Sequence, residues 1–495
     1  MDLDSVEPAF AKKEFLAVLI AGFGNELLPL TSNNGDEPSP KALLPVANKP
    51  LIEYVLSWLE QAGVKDVLLI CPDAHQSALH HHINSDISPS ALNVDLLPYN
   101  ETLESPEGTA SLLRHFASRI TEDFVLVPCD FIPPPSLPLS ALLNKFRIES
   151  TTNDAIVSTC WVPAYVPEKG VLLDEWGPVP APPAIVWDPA THALLHVDTP
   201  DDLDSNGEEF ELKMDLLSQY PRTKLSSSFQ DSHVYVCQRR VLELLKEKKK
   251  LDSFREDFIP WLCKLQYQPI KRRKYARLFA DAPRTQMLAL KHSTLSSESR
   301  SSKAPQPHDD GEEPAREPTF KVSISIHEPT DSLALRINNV YTFLEANRAL
   351  LSSTTYSLPS DPKDRSLIDH KVQISSDSIV GDSTQIAERT IIKRSVIGRH
   401  CVIGKGVKIS GCILFDHCVV EDGAKLDGSI LGKNTKVGSK AEMTRCISCP
   451  GFEVNGGGKY TLKGEKLDIS DWTADQSVPA DSSDDDGESS DEEDP

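Results

Sequence analysis

The sequence predicts an α/β chain in which a doubly wound domain precedes a left-handed parallel β-helix. Three observations lead to that reading. An apolar run at Phe15–Ile20 is followed by a helical pattern from Leu51 and a second apolar run at Val67–Ile70. Twelve positions between 380 and 443, stepped by six, six and five residues, are all apolar. A segment of Ser, Pro and charge lies between the two parts. At 495 residues the chain exceeds what one hydrophobic core usually serves.

Phe15–Ile20 has no polar alternation, as a parallel strand covered on both faces requires. Pro50 stands where a first helical turn accepts proline, and Leu51, Ile52, Val55, Leu56 and Leu59 follow at helical spacing. Gly63 suits the end of that helix. Val67–Ile70 is the next strand, and strand, helix, strand is a βαβ unit. Leu112 and Phe116 suggest another helix, and Phe124–Val127 another buried strand that ends at Cys129-Asp130. Ligands of such sheets gather beyond the carboxyl ends of the strands, where Gly22, Gly24 and Asp130 fall.

The periodic part repeats every 17 residues. Two positions before each large apolar residue stands a small one, from Ser378 and Thr384 through Cys401, Cys412 and Cys418 to Ala441. One large and one small residue per hexad builds a triangular parallel β-helix, the large residue filling the axis. Gly381, Gly398, Gly404, Gly432 and Gly438 follow large positions and suit tight corners, where a missing Cβ relaxes the backbone. Ile374 is expected to begin a less regular coil. The expected organisation is a first domain over 12–290, a flexible linker or insertion over 291–318 and a connecting segment with a helix over 319–371. A β-helix over 372–450 and a disordered acidic tail over 451–495 follow.

Charge narrows the function. Lys and Arg number 51 against 74 Asp and Glu, a net of −23, which argues against general nucleic-acid binding. Asp481–Pro495 holds nine acidic and no basic side chains, so the remainder carries −14. No run approaches the roughly 18–20 apolar residues of a membrane span, and the N-terminus lacks a secretory pattern. Ten Cys without a framework spacing suit a reducing compartment, so a cytosolic protein is expected. Cys446-x-x-Cys449 has zinc-like spacing but no second pair, and core packing is preferred there; no metal and no cofactor are expected. Lys271–Lys274 (KRRK) reads either as a solvated face or as a surface for an acidic partner or RNA. Ser483, Ser489 and Ser490, set among acidic residues, resemble acidophilic kinase targets.

Ala21–Thr31 (AGFGNELLPLT), Pro40–Pro50 (PKALLPVANKP), Glu107–Ala110 (EGTA) and Pro128–Asp130 (PCD) together resemble the sugar-1-phosphate nucleotidyltransferase family, over roughly residues 14–270. The resemblance implies a nucleotide pocket. Gly22 and Gly24 would let backbone N–H groups approach phosphate, Lys41 would meet a phosphate, Gly108 and Thr109 would face the nucleoside and Asp130 would hold Mg²⁺. Blander readings stand beside these. The two glycines are equally turn glycines, Lys41 a surface lysine and Asp130 the cap of its loop.

The sequence departs from the family where Arg usually follows G-x-G-x, because this chain has Glu26 there. At about 5 Å and an effective dielectric near 20, one unit-charge pair is worth about 3 kcal/mol, so the exchange is expected to spoil nucleotide binding. Asp36 and Glu37 add acid to the same loop, and Asp231 is a poor second metal carboxylate. The expectation is a vestigial pocket without catalytic residues; the alternative is an active guanylyl- or uridylyltransferase making a nucleotide sugar.

Phe254–Gln266 (FREDFIPWLCKLQ) and Arg336–Arg348 (RINNVYTFLEANR) resemble the nucleotidyltransferase-like subunits of translation initiation factor two B, a guanine-nucleotide exchange factor. The second segment also reads as a helix docking on the β-helix. The roughly 45 polar, acidic residues after Gly451 are expected to be too few for the helical exchange domain of the epsilon type. The resemblance therefore implies a non-catalytic scaffold. Its direct partner would be the epsilon subunit, with the alpha, beta and delta subunits and the G protein translation initiation factor two as further partners.

Overall fold

A computed structural model describes residues 14–85 (except 34, 36 and 37), 92–100, 108–164, 182–199, 210, 212–279, 320–327, 334–356, 361–460, 466 and 467. The 291–318 segment, Asp36, Glu37, Glu107 and the acidic run 481–495 lie outside the described residues. In the first half, β1 (Phe15–Ile20), α1 (Leu51–Gln61), β2 (Asp66–Pro72), α2 (Gln76–Ser85), β3 (Asn93–Tyr99), α3 (Thr109–His115) and β4 (Asp123–Pro128) alternate along the chain. β1 pairs in parallel with β2 and β4, and β2 with β3. Val18 and Leu126 feed one core while Ala17, Leu19, Val125 and Val127 feed another on the opposite face. That two-sided burial is why β1 shows no polar alternation.

The second half adds β5 (Phe131–Ile132), α4 (Leu139–Thr152), β6 (Ala155–Pro163), β7 (Ile185–Asp188), β8 (Ala193–Val197), α5 (Met214–Gln219), β9 (Lys224–Ser226) and β10 (Phe229–Cys237). Next come α6 (Arg240–Glu247), a π-helical turn at Phe254–Phe258, α7 (Ile259–Tyr267) and α8 (Pro269–Phe279). Here β10 runs antiparallel to β4 and β6, so the ten-stranded sheet is mixed, in the order β9-β7-β8-β11-β6-β10-β4-β1-β2-β3. Its β11 (Lys321–Ile326) lies beyond the 291–318 segment and pairs in parallel with β6. The region 319–371, expected as a connector, thus supplies a buried strand to the first sheet.

It also supplies β12 (Leu335–Arg336), antiparallel to β5, and α9 (Val340–Ser353). A capping box starts α9: Thr342 N donates to Asn339 Oδ1 at 2.8 Å, and Asn339 N donates to Thr342 Oγ1 at 3.3 Å.

Among the described residues the β-helix has three parallel sheets of six, six and five short strands. Its rungs repeat at 17 residues, as in Ile379, Val396, Ile413, Ile430 and Ile447. All twelve large positions join one axial core, and the twelve small ones are buried. Cys446 and Cys449 belong to that core. A parallel bridge of Ile368 to Ile386 begins the coil, Gln373–Ile374 is the first two-residue strand, and rungs at Lys459–Tyr460 and Lys466–Leu467 carry the coil past position 450.

The glycines at 381, 398, 404, 432 and 438 differ from expectation in their reason. None has a positive φ. An added Cβ would instead lie 2.5–2.7 Å from the nearest atom of the next coil. Contact between coils, not backbone strain, demands glycine there.

One sheet of the β-helix is covered. Val396, Ile413, Phe415, Ile430 and Ile447 share a core with α9 (Phe343, Leu344, Leu351) and with Leu27, Leu44, Val46 and Leu51 of the first domain. The PVANKP segment is a two-strand hairpin whose tip, Ala47 and Asn48, has positive φ at both residues. Ala47 N donates to Asn347 Oδ1 of α9 at 2.9 Å, and Asn48 Nδ2 donates to the Ile397 carbonyl of the β-helix at 2.6 Å. One hairpin tip therefore ties both halves together.

Candidate functional site: a cation-filled cavity

At the carboxyl ends of β1 and β4 lies a cavity of about 200 Å³, below the roughly 300–1,000 Å³ of ordinary ligand pockets. Of the residues singled out from sequence, Gly22, Gly24, Lys41, Thr109 and Asp130 line it. Gly108 stands off the wall, where its N–H donates to Asp252 Oδ1 at 3.3 Å. His233, Tyr235, Arg255 and Arg336 add polar groups to the lining, the rest of which is largely apolar.

Local structure explains each placement. Gly24 has φ +81°, opens the turn Asn25–Leu27, and a Cβ on it would lie 2.9 Å from Lys41 Cβ. Both facts require glycine. Around Gly22 the space for a Cβ is open. Thr109 Oγ1 accepts from Phe254 N at 2.9 Å, so the GTA turn is bonded to the π-helical turn. His233 sits at φ +57° in a register irregularity of β10 between Asp231 and Tyr235, which turns its ring toward the cavity.

Asp130 is the centre of the arrangement. Its side chain is 2% exposed and pairs with Lys41 Nζ through Oδ2. Its Oδ1 accepts from Arg336 Nε at 3.0 Å, and its carbonyl accepts from Ile337 N at 2.9 Å. Arg336 Nη1 in turn meets His233 Nε2 at 2.9 Å. Because guanidinium only donates, that ring nitrogen accepts and His233 is neutral. Burial pushes the Asp130 carboxyl up, but Arg336 and Lys41 outweigh it and hold it below the usual range. Burial, with the charges of Arg336, Arg255 and Lys41, holds His233 well below 6.5. Asp231 is raised, chiefly by burial; its carboxylate accepts from the Tyr235 hydroxyl and from His233 N.

These residues do not fit Mg²⁺. Both oxygens of Asp130 are taken by cations of the chain itself. A divalent ion about 4 Å from either would meet a repulsion of roughly 8 kcal/mol at an effective dielectric of 20. Among the described residues no three His, Cys, Asp or Glu side chains converge on a metal site.

Glu26 is exposed in its turn and off the cavity wall. The charges that touch Asp130 directly are Lys41 and Arg336. Arg336 was missed as a site residue because it is 206 positions from Asp130 and reaches it only through the two-residue β5–β12 pairing. Nothing in its local sequence signals that.

Comparison with known proteins locates two families on the chain. Residues 17–164 match the nucleotidyl transferase family, and residues 363–457 match the LbH domain of EIF2B subunit epsilon. A Schizosaccharomyces pombe protein named translation initiation factor eIF2B subunit gamma is 34% identical over 258 residues, 52% of each chain. The Caenorhabditis elegans protein of that name is 29% identical over 259 residues, 52% of this chain and 59% of its own. The Schizosaccharomyces pombe eIF2B subunit epsilon is 24% identical over 248 residues, 49% of this chain and 34% of its own. The chain thus spans between half and three fifths of the gamma relatives just named.

Proposed function

We propose that this chain is a gamma-type subunit of translation initiation factor eIF2B, a non-catalytic scaffold within a guanine-nucleotide exchange factor of the cytosol. One observation carries the non-catalytic half of this reading: the carboxylate that should hold a metal is neutralised by Lys41 and Arg336. The higher identity to the Schizosaccharomyces pombe gamma subunit than to the epsilon subunit of the same organism supports the rest. In this reading the chain packs beside the epsilon subunit, with alpha, beta and delta subunits completing the complex. It contributes to GDP release from translation initiation factor two by binding one state of that G protein better than another. The vestigial pocket comprises Gly22, Gly24, Lys41, Thr109 and Asp130, with Gly108 beside it off the wall, and turns over no nucleotide.

The test has two arms. The purified chain, given GTP or UTP, a sugar-1-phosphate and Mg²⁺, should release no pyrophosphate. Release would instead establish the alternative, a transferase making a nucleotide sugar. Added to the epsilon subunit, the chain should accelerate GDP release beyond epsilon alone; an unchanged rate refutes the supporting role.

A further inference from the structure

The first domain carries a concentrated cationic surface that the cavity does not use. Lys271 and Lys274 are exposed on α8, Lys213 is exposed before α5, and Lys248, capping the end of α6, and Lys264 on α7 are half-buried. Burial, then repulsion from Lys213, Lys264 and Lys248, lowers the Lys271 ammonium from its usual range, so these charges act on one another. Lys248 Nζ stands 5.1 Å from both the Trp261 and Tyr275 rings, and Lys274 Nζ 5.9 Å from Tyr275. Beside Lys213 and Lys271 stand Met214 and Ile270, at 76% and 83% exposure the most exposed of the large apolar side chains described. The carboxylates on these helices are Asp215, Glu243 and Glu247, and Glu243 is paired with Lys246 at 3.1 Å. Cations predominate on a chain whose net charge is −23.

We propose that this surface, Lys213, Lys248, Lys264, Lys271 and Lys274, binds the acidic segment 481–495 of the same chain. The charge match is close, with nine carboxylates in fifteen residues and no cation. Reach permits it. Thirteen residues lie between Leu467, the last described strand residue, and Asp481. Fully extended, they span up to about 50 Å, and the segment's far end reaches about 95 Å. Tethering holds the segment at an effective concentration on the order of millimolar, enough for a weak contact between exposed charges to be populated. Such a contact screens the mutual repulsion of the lysines and leaves the patch closed to other polyanions.

Carbodiimide coupling of the full-length chain, read by peptide mass spectrometry, tests this. The reagent joins a carboxylate directly to an amine. Within monomeric protein at low salt, linked peptides should connect 481–495 to Lys213, Lys248, Lys264, Lys271 or Lys274. The links should be lost in about 0.5 M salt, where the Debye length falls to a few ångströms, and in the K271E/K274E variant. Links spread evenly over lysines of the β-helix, links only between molecules, or links unchanged in the variant would overturn the proposal. So would retention of an oligouridylate by the patch with equal affinity in the presence and absence of 481–495, which would assign the surface to RNA.

Discussion

Asp130→Asn separates a structural ion cluster from a metal site by the sign of its effect. In the wild type the carboxylate compensates Lys41, 9% exposed, and Arg336, 22% exposed. Asparagine keeps one acceptor but places an amide N–H₂ against the second cation. Removing one partner of a buried pair costs about 3–5 kcal/mol, and the partial exposure of Arg336 puts the expectation near the lower end, about 3 kcal/mol. For a domain of this size each 1 kcal/mol moves Tm by about 2–4 °C, so a fall of about 6–12 °C is expected. Thermal unfolding followed by circular dichroism of the full chain, without added metal, reads it. A double variant, Lys41→Met with Asp130→Asn, should regain part of the loss, because fewer uncompensated charges remain. The refuting result is an unchanged or raised Tm for Asp130→Asn. That is what a carboxylate kept for metal chemistry at a cost in stability would give.

Three further outcomes are expected. Gly398→Ala would drive a Cβ to within 2.6 Å of the Phe415 carbonyl carbon; urea unfolding should show a loss of at least about 2 kcal/mol, as overpacking against backbone leaves little room to relax. Asn48→Ala removes a bond to the β-helix from a left-handed position; a loss of about 1–2 kcal/mol is expected, with faster proteolysis between the two halves. His233 is neutral in the fold and free to protonate when unfolded, so stability should fall as pH drops below 6.5. His75, His192 and His327 are lowered too, so His233→Gln should reduce the proton uptake on unfolding near pH 5.5 without abolishing it. Asp130 acts lower: its depressed carboxyl stabilises the fold above the ordinary value of 3.8, and that contribution is lost as pH falls through the folded value.

What the sequence revealed follows from how uniformly each segment is buried. β1, α1, β2 and the β-helix put apolar residues wherever the fold hides them, so spacing alone exposes them. β11 does the opposite. Its sequence KVSISI is buried through Lys321–Ser325, with Ser323 bonded to Ser158 at 3.1 Å and Lys321 paired with Glu149. Polar residues satisfied in this way read as solvent-facing, and the strand passed for part of a connector. The cavity was legible where G-x-G, Lys41 and Asp130 stand near strand ends. Its decisive member, Arg336, arrives from the connector, and the resulting neutralisation is a property of packing rather than of any motif.

The hairpin tip at Ala47-Asn48 has a consequence for reading such chains. Letters that advertise a transferase are here occupied in fastening one body of the molecule to the other. A substitution among them would first loosen the joint, whatever it did to a nucleotide. In this chain, therefore, the segment between Pro45 and Pro50 is masonry as well as motif.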